Sequence, residues 1–419
     1  MSTQPYVQAL QAAEFIMGPP VIKGVPLWRG RGIDAVRLLV EAFADLVRER
    51  HPVDVVEHSF LASQADNRRV FGDYTNDVYE LVDVPDNPDA LFRSDNIVSS
   101  LARLDQERSD GPLVAVGTVM RHFPGRTPPL FRDRQVWPVV ELNQLVPEHL
   151  AVAALDHYRT VIERLLWSLA VPSVTVCTDE LAGYGKTTYL VVTALPNRRP
   201  TVLATLYVLS DELRRALRQD QDVIDVGFTG KVLATAAMVH TDARGLMLAS
   251  AIAPVQLGIT AAEETDLSRC AGWLDALRAA GIRFDLVRSA PGSRSRARAE
   301  RAWHRAGVPL VVGLDRSPGS VVLCSRLPRQ RTGLSALPDP ATVRGHLRAH
   351  DDRLRASAQR LMTDTAERGG HVRTLCDRCA GALGSSVFGH LVPETRGPCE
   401  TCADEAGRGL FISAEGRFY

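Results

Sequence analysis

Apolar and polar residues alternate with two different periodicities along the first 254 residues. Apolar side chains recur at helical spacing over residues 33–50 and again over 147–170, and each segment predicts a long amphipathic helix. Shorter apolar runs, LVAVGTV (113–119) and QVWPVVELN (135–143), predict strands, as do VTVCT, YLVVTALP and TVLATLYVL farther along. Several strands joined by turns, with helices set apart from them, are typical of an antiparallel α+β domain.

The pattern changes near residue 255. Strand-like VQLGI, IRFDLVRS and VPLVVGLD alternate with helical SRCAGWLDALRAA and ARAERAWHRAG, in the β-α-β order of a smaller sheet covered by helices. A polar helix is predicted over residues 342–367, and a segment with four cysteines follows it. We therefore predict three units: residues 1–254, residues 255–345, and residues 346–419, the last comprising a linker helix and a small C-terminal domain.

The composition, 45% hydrophobic and 23% charged over 419 residues, is that of a globular chain long enough to bury two or three cores. No apolar run approaches the roughly 20 residues that a membrane span needs. The start MSTQPYVQAL also lacks the basic and then apolar pattern of a signal peptide. We expect a cytoplasmic protein with no membrane partner.

Four of the seven cysteines form two CxxC pairs. Cys376 and Cys379 are separated by 19 residues from Cys399 and Cys402, and two such turns can supply four thiolates to one tetrahedral zinc ion. Because a closed set of four protein ligands leaves no position for a substrate, the predicted Zn²⁺ is structural. The alternative is a set of reduced surface thiols.

An arginine-rich segment, MRHFPGRTPPLFRDRQVW (120–137), connects the two strands of a predicted hairpin. Arg121, Arg132 and Arg134 would stand at the bases of its strands. Planar, permanently charged guanidinium groups around one small volume suit a polyphosphate better than a single carboxylate. The segment therefore indicates a nucleotide site, and a solvated basic hairpin is the alternative. A P-loop at AGYGKTTY (182–189) is excluded, since Glu180 occupies the position of its first glycine.

Arginine is also concentrated in the second predicted unit. Residues 255–345 contain 14 arginines and eight acidic residues, and SRSRARAERAWHR (293–305) supplies five of those arginines. This segment is either a surface for phosphates or the solvated face of a helix.

Several stretches, in order along the chain, resemble class II aminoacyl-tRNA synthetases, and most of all prolyl-tRNA synthetases of the archaeal and eukaryotic type. The arginine-rich segment is similar to motif 2 of that family, and ALFRSDNIVSS (90–100) resembles the segment that lines its amino-acid pocket. MVHTDARGLML (238–248) and APVQLGI (253–259) resemble the passage from motif 3 into the anticodon-binding domain. WHRAGVPLVVGLD (303–315) resembles an element of that domain, and the cysteine-containing segment resembles the family's C-terminal zinc domain.

The resemblance implies an α+β fold with a class II antiparallel-sheet catalytic domain, an α/β anticodon-binding-like domain and a small C-terminal zinc-binding domain. It also implies a homodimer that binds ATP, Mg²⁺ and an amino acid, forms an aminoacyl-adenylate and transfers the acyl group to an acceptor. In the family the acceptor is tRNA, which would contact residues 255–345.

The resemblance assigns the ATP site as well. Arg121 would bind the α-phosphate and Arg132 or Arg134 the γ-phosphate, and Trp137 belongs to the same set. Lys231 in GFTGKVLA stands where motif 3 of the family has an arginine.

Lysine is rare in this chain, with Lys23, Lys186 and Lys231 as the only examples among 49 basic residues. Passive drift would seldom replace arginine by lysine in such a chain. We therefore predict that Lys231 is functional; the alternative is decay of an unused site.

The predicted amino-acid pocket departs most from the family. Arg93 and Asp95 lie in RSDNI, where the family has Arg-Pro-Thr-Ser-Glu, and Thr205 and Tyr207 lie where it has Thr-Ser-His-His-Leu-Gly. Glu141 completes the predicted pocket. Motif 2 also lacks its glutamate.

Since the threonine and glutamate that hold the imino group of proline are absent, we expect a different amino acid. The acceptor is tRNA, or a small molecule or carrier protein of specialised metabolism. A catalytically silent paralogue that binds tRNA or regulates is the alternative.

Overall fold

The structure is a computed structural model that describes residues 5–71, 84–107, 111–121, 128–179, 183–262, 267–289, 293–314, 321–403 and 405–413. Its largest feature is an 11-stranded sheet. In spatial order the strands are β17 (Val372–Leu375), β20 (Ala406–Ile412), β18 (Val387–Val392), β8 (Val174–Cys177), β9 (Gly185–Ala194), β10 (Pro200–Leu209), β11 (Asp222–Thr229), β7 (Gln135–Val146), β6 (Leu113–Met120) and β3 (Asp54–Glu57), with β19 (Arg396–Pro398) paired to β20. All these pairings are antiparallel except that of β3 with β6.

One face of the central strands is apolar. Val114, Leu142, Val226 and Leu206 lie opposite one another on β6, β7, β11 and β10, and all are buried in the largest hydrophobic cluster. Because side chains alternate between the faces of a strand, the residues between them line the opposite face. Two long helices cover the apolar face, α2 (Gly30–Arg48) and α5 (Ala151–Ser168).

The covering helices are anchored by aromatic side chains. Phe43 of α2 packs edge-on against Phe228 of β11, with ring centroids 5.1 Å apart. The hydroxyl of Tyr158 on α5 donates to Oε1 of Gln144 on β7 at 2.7 Å. Two shorter helices, α1 (Pro5–Ala12) and α7 (Lys231–His240), also contribute to this core.

The predicted hairpin at the arginine-rich segment is confirmed. β6 and β7 pair antiparallel, with Met120 opposite Gln135, and the backbone N–H of Arg121 donates to the carbonyl of Arg134 at 2.7 Å. The tip of the hairpin, residues 122–127, lies outside the described residues.

A second sheet has five strands in the order β13 (Phe284–Ser289), β12 (Leu257–Ala262), β14 (Leu310–Leu314), β15 (Val321–Ser325) and β16 (Gln330–Leu334). β12 is parallel to both β13 and β14, as the predicted β-α-β pattern requires. The connecting helices are α8 (Ala271–Ala279) and α9 (Ser293–Arg305). The polar helix α10 (Pro340–Met362) begins at Asp339, whose carboxylate accepts a hydrogen bond from the backbone N–H of Thr342 at 2.8 Å.

The C-terminal strands continue the main sheet, because β18 pairs with β8. Helix α11 (Asp377–Gly381) lies among these strands in sequence. The other elements are β1 (Ile16–Ile22), β2 (Val25–Trp28), β4 (Leu61–Ser63), β5 (Ala90–Phe92), α3 (Gln64–Phe71), α4 (Ile97–Glu107) and α6 (Asp211–Ala216).

The division of the chain into units at residues 254 and 345 stays a prediction. In the part of the chain that the structure describes, no helix is both long and apolar enough to span a membrane.

Candidate active site

The polar face of the main sheet carries the predicted amino-acid pocket. Glu141 of β7 lies opposite Gly227 of β11, which lies opposite Thr205 of β10. This row lies on the face opposite the apolar core, because its members alternate with Leu142, Val226 and Leu206 along the strands. Since Gly227 has no side chain, the centre of the row is left open between Glu141 and the half-buried Thr205.

A second row lies two residues farther along the same strands. Asn143, Asp225 and Tyr207 are aligned there across β7, β11 and β10. Nδ2 of Asn143 and the hydroxyl of Tyr184 each donate to the carboxyl group of Asp225 at 3.1 Å, and the Tyr184 ring packs edge-on against Tyr207 at 4.6 Å. Burial, reinforced by the nearby Asp95 carboxylate, raises the pKa of Asp225 to about 8.

Glu141 is buried and faces two other carboxyl groups. Its Oε2 accepts a hydrogen bond from the backbone N–H of Asn96 at 3.3 Å. Burial raises the pKa of Glu141 well above its ordinary value, and the charges of Asp95 and Asp225 add to the rise. Asp95 itself is half-buried at the start of α4, where its Oδ1 accepts from the N–H of Ile97 at 3.1 Å.

Arg93 is a buried cation among the described residues of this pocket. Its side chain is 1% exposed, and Nη2 donates to the carbonyl of Thr118 at 3.1 Å. Burial lowers the pKa of Arg93, while the charges of Glu141 and Asp95 oppose that effect. Gly117 makes the close approach of the guanidinium to β6 feasible, because a Cβ at that position would overlap Nη2.

A separate group of cations forms at the start of α7. Burial lowers the pKa of Lys231 to about 8, and the charges of Arg121 and Arg132 lower it further in the same direction. Residues from the arginine-rich hairpin and from the β11–α7 junction, distant in sequence, therefore lie close enough to repel one another. Such a group is suited to bind a polyanion.

Two other predicted nucleotide residues flank this group. Arg134 is half-buried, next to Arg121 across the hairpin. Trp137 on β7 packs edge-on against Trp28 of β2, with ring centroids 4.9 Å apart. The backbone N–H of Gly230, directly before Lys231, donates to the carbonyl of Pro138 at 3.0 Å and so ties the start of α7 to β7.

The structure thus brings together Arg93, Asp95 and Glu141, and separately Arg121, Arg132 and Lys231. Thr205 and Tyr207 lie on the same sheet face as Glu141. Their roles stay predictions. Sequence reasoning missed four pocket residues: Asn96, Asn143, Tyr184 and Asp225. The second of the two aspartates in DVIDVGFT, which stands between apolar residues, was the signal that could have identified Asp225.

The four cysteines of the CxxC pairs converge as predicted. All four Sγ atoms lie within 4.8 Å of one another, and Sγ of Cys376 is 3.8 Å from Sγ of Cys402. A zinc ion with Zn–S bonds of about 2.3 Å in a tetrahedron requires S···S separations of about 3.8 Å. Backbone hydrogen bonds lower the pKa of Cys399 to about 6, whereas the side-chain hydrogen bond with Cys376 raises the pKa of Cys379 to about 12, so the fit to zinc rests on the sulfur geometry. The donor set therefore fits a structural Zn²⁺.

Comparisons with known proteins find similarity to proline–tRNA ligases. The chain is 25% identical over 224 residues to the proline–tRNA ligase of Aeropyrum pernix, a match that covers 47% of the chain and 44% of that protein. It is 22% identical over 368 residues to the proline–tRNA ligase of Methanopyrus kandleri, covering 80% of the chain and 75% of the relative. No protein-family model matches.

Among solved structures, the prolyl-tRNA synthetase of Giardia lamblia in complex with prolyl-adenylate matches with a TM-score of 0.80 at 16% identity. The alignment covers 98% of this chain and 97% of the Giardia chain. The chain is therefore similar in sequence to proline–tRNA ligases and has the α+β fold of the prolyl-tRNA synthetase that it matches.

Proposed function

We propose that the protein is an ATP-dependent aminoacyl ligase that converts an amino acid into its aminoacyl-adenylate and passes the acyl group to an acceptor. One observation carries this proposal: a cation group and a carboxyl-rich pocket lie along the same strand. Lys231 lies two residues after Thr229, the last residue of β11, and Thr229 is four residues, or roughly 13 Å, from Asp225. An amino acid in the pocket would thus have its carboxylate near the bound phosphates.

The cation group binds ATP in this proposal. ATP enters as its magnesium complex, with Arg121 at the α-phosphate and Arg132, Arg134 or Lys231 at the γ-phosphate. Trp137 lies at the edge of the nucleotide site.

The chemical step is a displacement at phosphorus. A carboxylate oxygen of the amino acid attacks the α-phosphorus, and the bond to pyrophosphate breaks. The cations hold the two substrates in line and stabilise the charge that develops, so positioning and electrostatics supply the catalysis. In the second step a nucleophile of the acceptor attacks the acyl carbonyl, and AMP leaves.

Exchange of labelled pyrophosphate into ATP tests this function directly, with each amino acid in turn. We expect exchange with at least one amino acid and its loss in Arg121→Ala. The matched control is Arg37→Ala, because Arg37 is an exposed arginine on α2, and it should exchange like the wild type. A folded wild-type protein that exchanges with none of the amino acids would refute the ligase proposal and favour the silent tRNA-binding paralogue.

For the acceptor we propose tRNA, bound through α9. Arg294, Arg298, Arg301 and Arg305 are all exposed, and their spacing places them along one side of the helix. Phosphate contacts of this kind predict an affinity that falls steeply with salt. A gel-shift titration against total tRNA at two salt concentrations tests this, and binding without salt dependence would favour a small molecule or a carrier protein as the acceptor.

We also propose that the protein is a homodimer in the cytoplasm. The β1–β2 hairpin exposes apolar side chains, with Val21 94% and Ile22 61% exposed. A second copy of the chain would cover this surface. Sedimentation should give a dimer for the wild type and a monomer for Val21→Asp, whereas Val152→Asp, at an exposed apolar position on α5, should remain dimeric.

A further inference from the structure

Among the described residues, the amino-acid pocket brings together three carboxyl groups and one arginine. Asp95, Glu141 and Asp225 influence one another electrostatically, and Arg93 is the cation that acts on two of them. These four described groups would carry a net charge of −2 if all were ionised, a state that burial disfavours until positive charge enters the pocket. An amino acid with a neutral side chain brings one ammonium group into it, since its carboxylate is directed at the phosphates. Asp225 would then keep its proton, whereas a second ammonium group beside it would favour its carboxylate form.

Buried hydrogen-bonding atoms without partners point to a ligand at both ends of the pocket. Near Arg93 and Glu141, Asn96 is fully buried, and neither its Oδ1 nor its Nδ2 has a hydrogen-bond partner among the described residues. At the other end, Oδ1 of the buried Asn143 and Oγ1 of the buried Thr188, which lies opposite Tyr207, are likewise unpartnered there. Buried polar atoms are rarely left unsatisfied in proteins. Three of these four atoms can accept hydrogen bonds, and an ammonium group is a pure donor.

From these observations we propose that the substrate is a diamino acid, whose α-ammonium lies between Asp95 and Glu141 and whose side-chain ammonium lies against Asp225. The inference rests on the ligase function proposed above and names its substrate class. The rings of Tyr184 and Tyr207, which meet beside Asp225, add aromatic faces that attract a cation.

The distance between the Glu141 row and the Asp225 row favours a diamino acid with a short side chain. The row of Glu141 and the row of Asp225 are two residues apart along the strands, or roughly 6.6 Å. With bonds of about 1.5 Å, the two nitrogens of an extended 2,4-diaminobutyrate or ornithine are roughly 5 to 6 Å apart. These two amino acids are therefore the preferred members of the class.

Binding of a diamino acid should release protons, because Asp225 is largely protonated before the amino acid binds. Asp225, with a pKa of about 8, is mostly protonated at pH 7, and an ammonium ion that binds to it favours the carboxylate. Among the described residues, the groups that face Asp225 are Asp95, Glu141, Asn143, Tyr184 and Tyr207, and none of these five is a cation. Affinity for a diamino acid should therefore rise up to tenfold per pH unit below pH 8.

Pyrophosphate exchange with matched substrates tests the proposal in the wild-type protein. 2,4-Diaminobutyrate is compared with homoserine and norvaline, in which a hydroxyl or a methyl group replaces the side-chain amine, and ornithine with norleucine. We expect kcat/KM to be at least tenfold higher for each diamino acid than for its uncharged counterparts. In Asp225→Asn this ratio should fall close to one.

A binding measurement separates failure of this inference from failure of the ligase function. Calorimetry of 2,4-diaminobutyrate without ATP, in two buffers of different ionisation enthalpy, should show proton release by the wild type. Exchange that is equal or better with norvaline, homoserine or proline overturns the diamino-acid proposal and leaves the ligase standing. Absence of exchange with every amino acid overturns the ligase. If diaminobutyrate also fails to bind in the calorimeter, the assignment of this pocket as the amino-acid site is wrong as well.

Discussion

Lys231 gives the nucleotide site a charge that depends on pH. Burial and the neighbouring Arg121 and Arg132 lower the pKa of its ammonium group to about 8, so the side chain is about nine-tenths protonated at pH 7 and about one-tenth at pH 9. A bound triphosphate stabilises the protonated form and raises this pKa. Nucleotide affinity should therefore be constant below pH 8 and fall as the pH rises above it, by about tenfold, or about 1.4 kcal/mol, between pH 7 and pH 9.

The assay is calorimetric titration with a non-hydrolysable, magnesium-bound ATP analogue between pH 7 and pH 9.5, without an amino acid. Lys231→Arg is the matched control, because a guanidinium remains charged throughout this range. Its affinity should change little with pH, apart from effects that both proteins share. Lys231→Met should bind weakly at pH 7, close to the level of the wild type at high pH. If the wild type and Lys231→Arg have the same pH dependence, Lys231 does not bind the nucleotide and the reasoning is refuted.

Three further results are expected. The purified protein should contain about one zinc ion per chain by mass spectrometry, and Cys376→Ser should lose the ion and melt at a lower temperature. Phe43→Ala should destabilise the fold by about 3–5 kcal/mol in denaturant titrations, because the ring is fully buried against Phe228. Gly117→Ala should cost about 1–3 kcal/mol and raise the KM for the amino acid, because the new methyl group displaces Arg93. A zinc-free wild type, an unchanged denaturation midpoint or an unchanged KM would contradict these expectations in turn.

Much of the local structure follows from sequence pattern alone. Helical spacing identifies α2 and α5, and two apolar runs around the arginine-rich segment identify the β6–β7 hairpin. These elements are predictable because their hydrophobic periodicity reports directly which face is buried. The zinc-ligand set is predictable for a similar reason, since short CxxC turns bring two thiols together by themselves.

Other parts of the fold were not predictable. The strand β11 was missed, although it carries Asp225 and leads into Lys231. Its sequence, DVIDVGFT, has an aspartate on each face and so lacks a clean alternation of apolar and polar residues. Its neighbour β7 is distant in the sequence, and α6 separates it from its other neighbour, β10. The pairing of β18 with β8 likewise joins segments about 200 residues apart, which no local pattern reports.

The sequence by itself determined which residue types are available: a basic hairpin, a rare lysine, four cysteines and several scattered acids. Only the tertiary structure decided that Asp95, Glu141 and Asp225 share one buried pocket and that Lys231 stands beside Arg121 and Arg132. Cross-strand register and burial determine which of these residues lie together. The distance between two charges and the exclusion of water around them set their pKa values, and both depend on how distant segments pack.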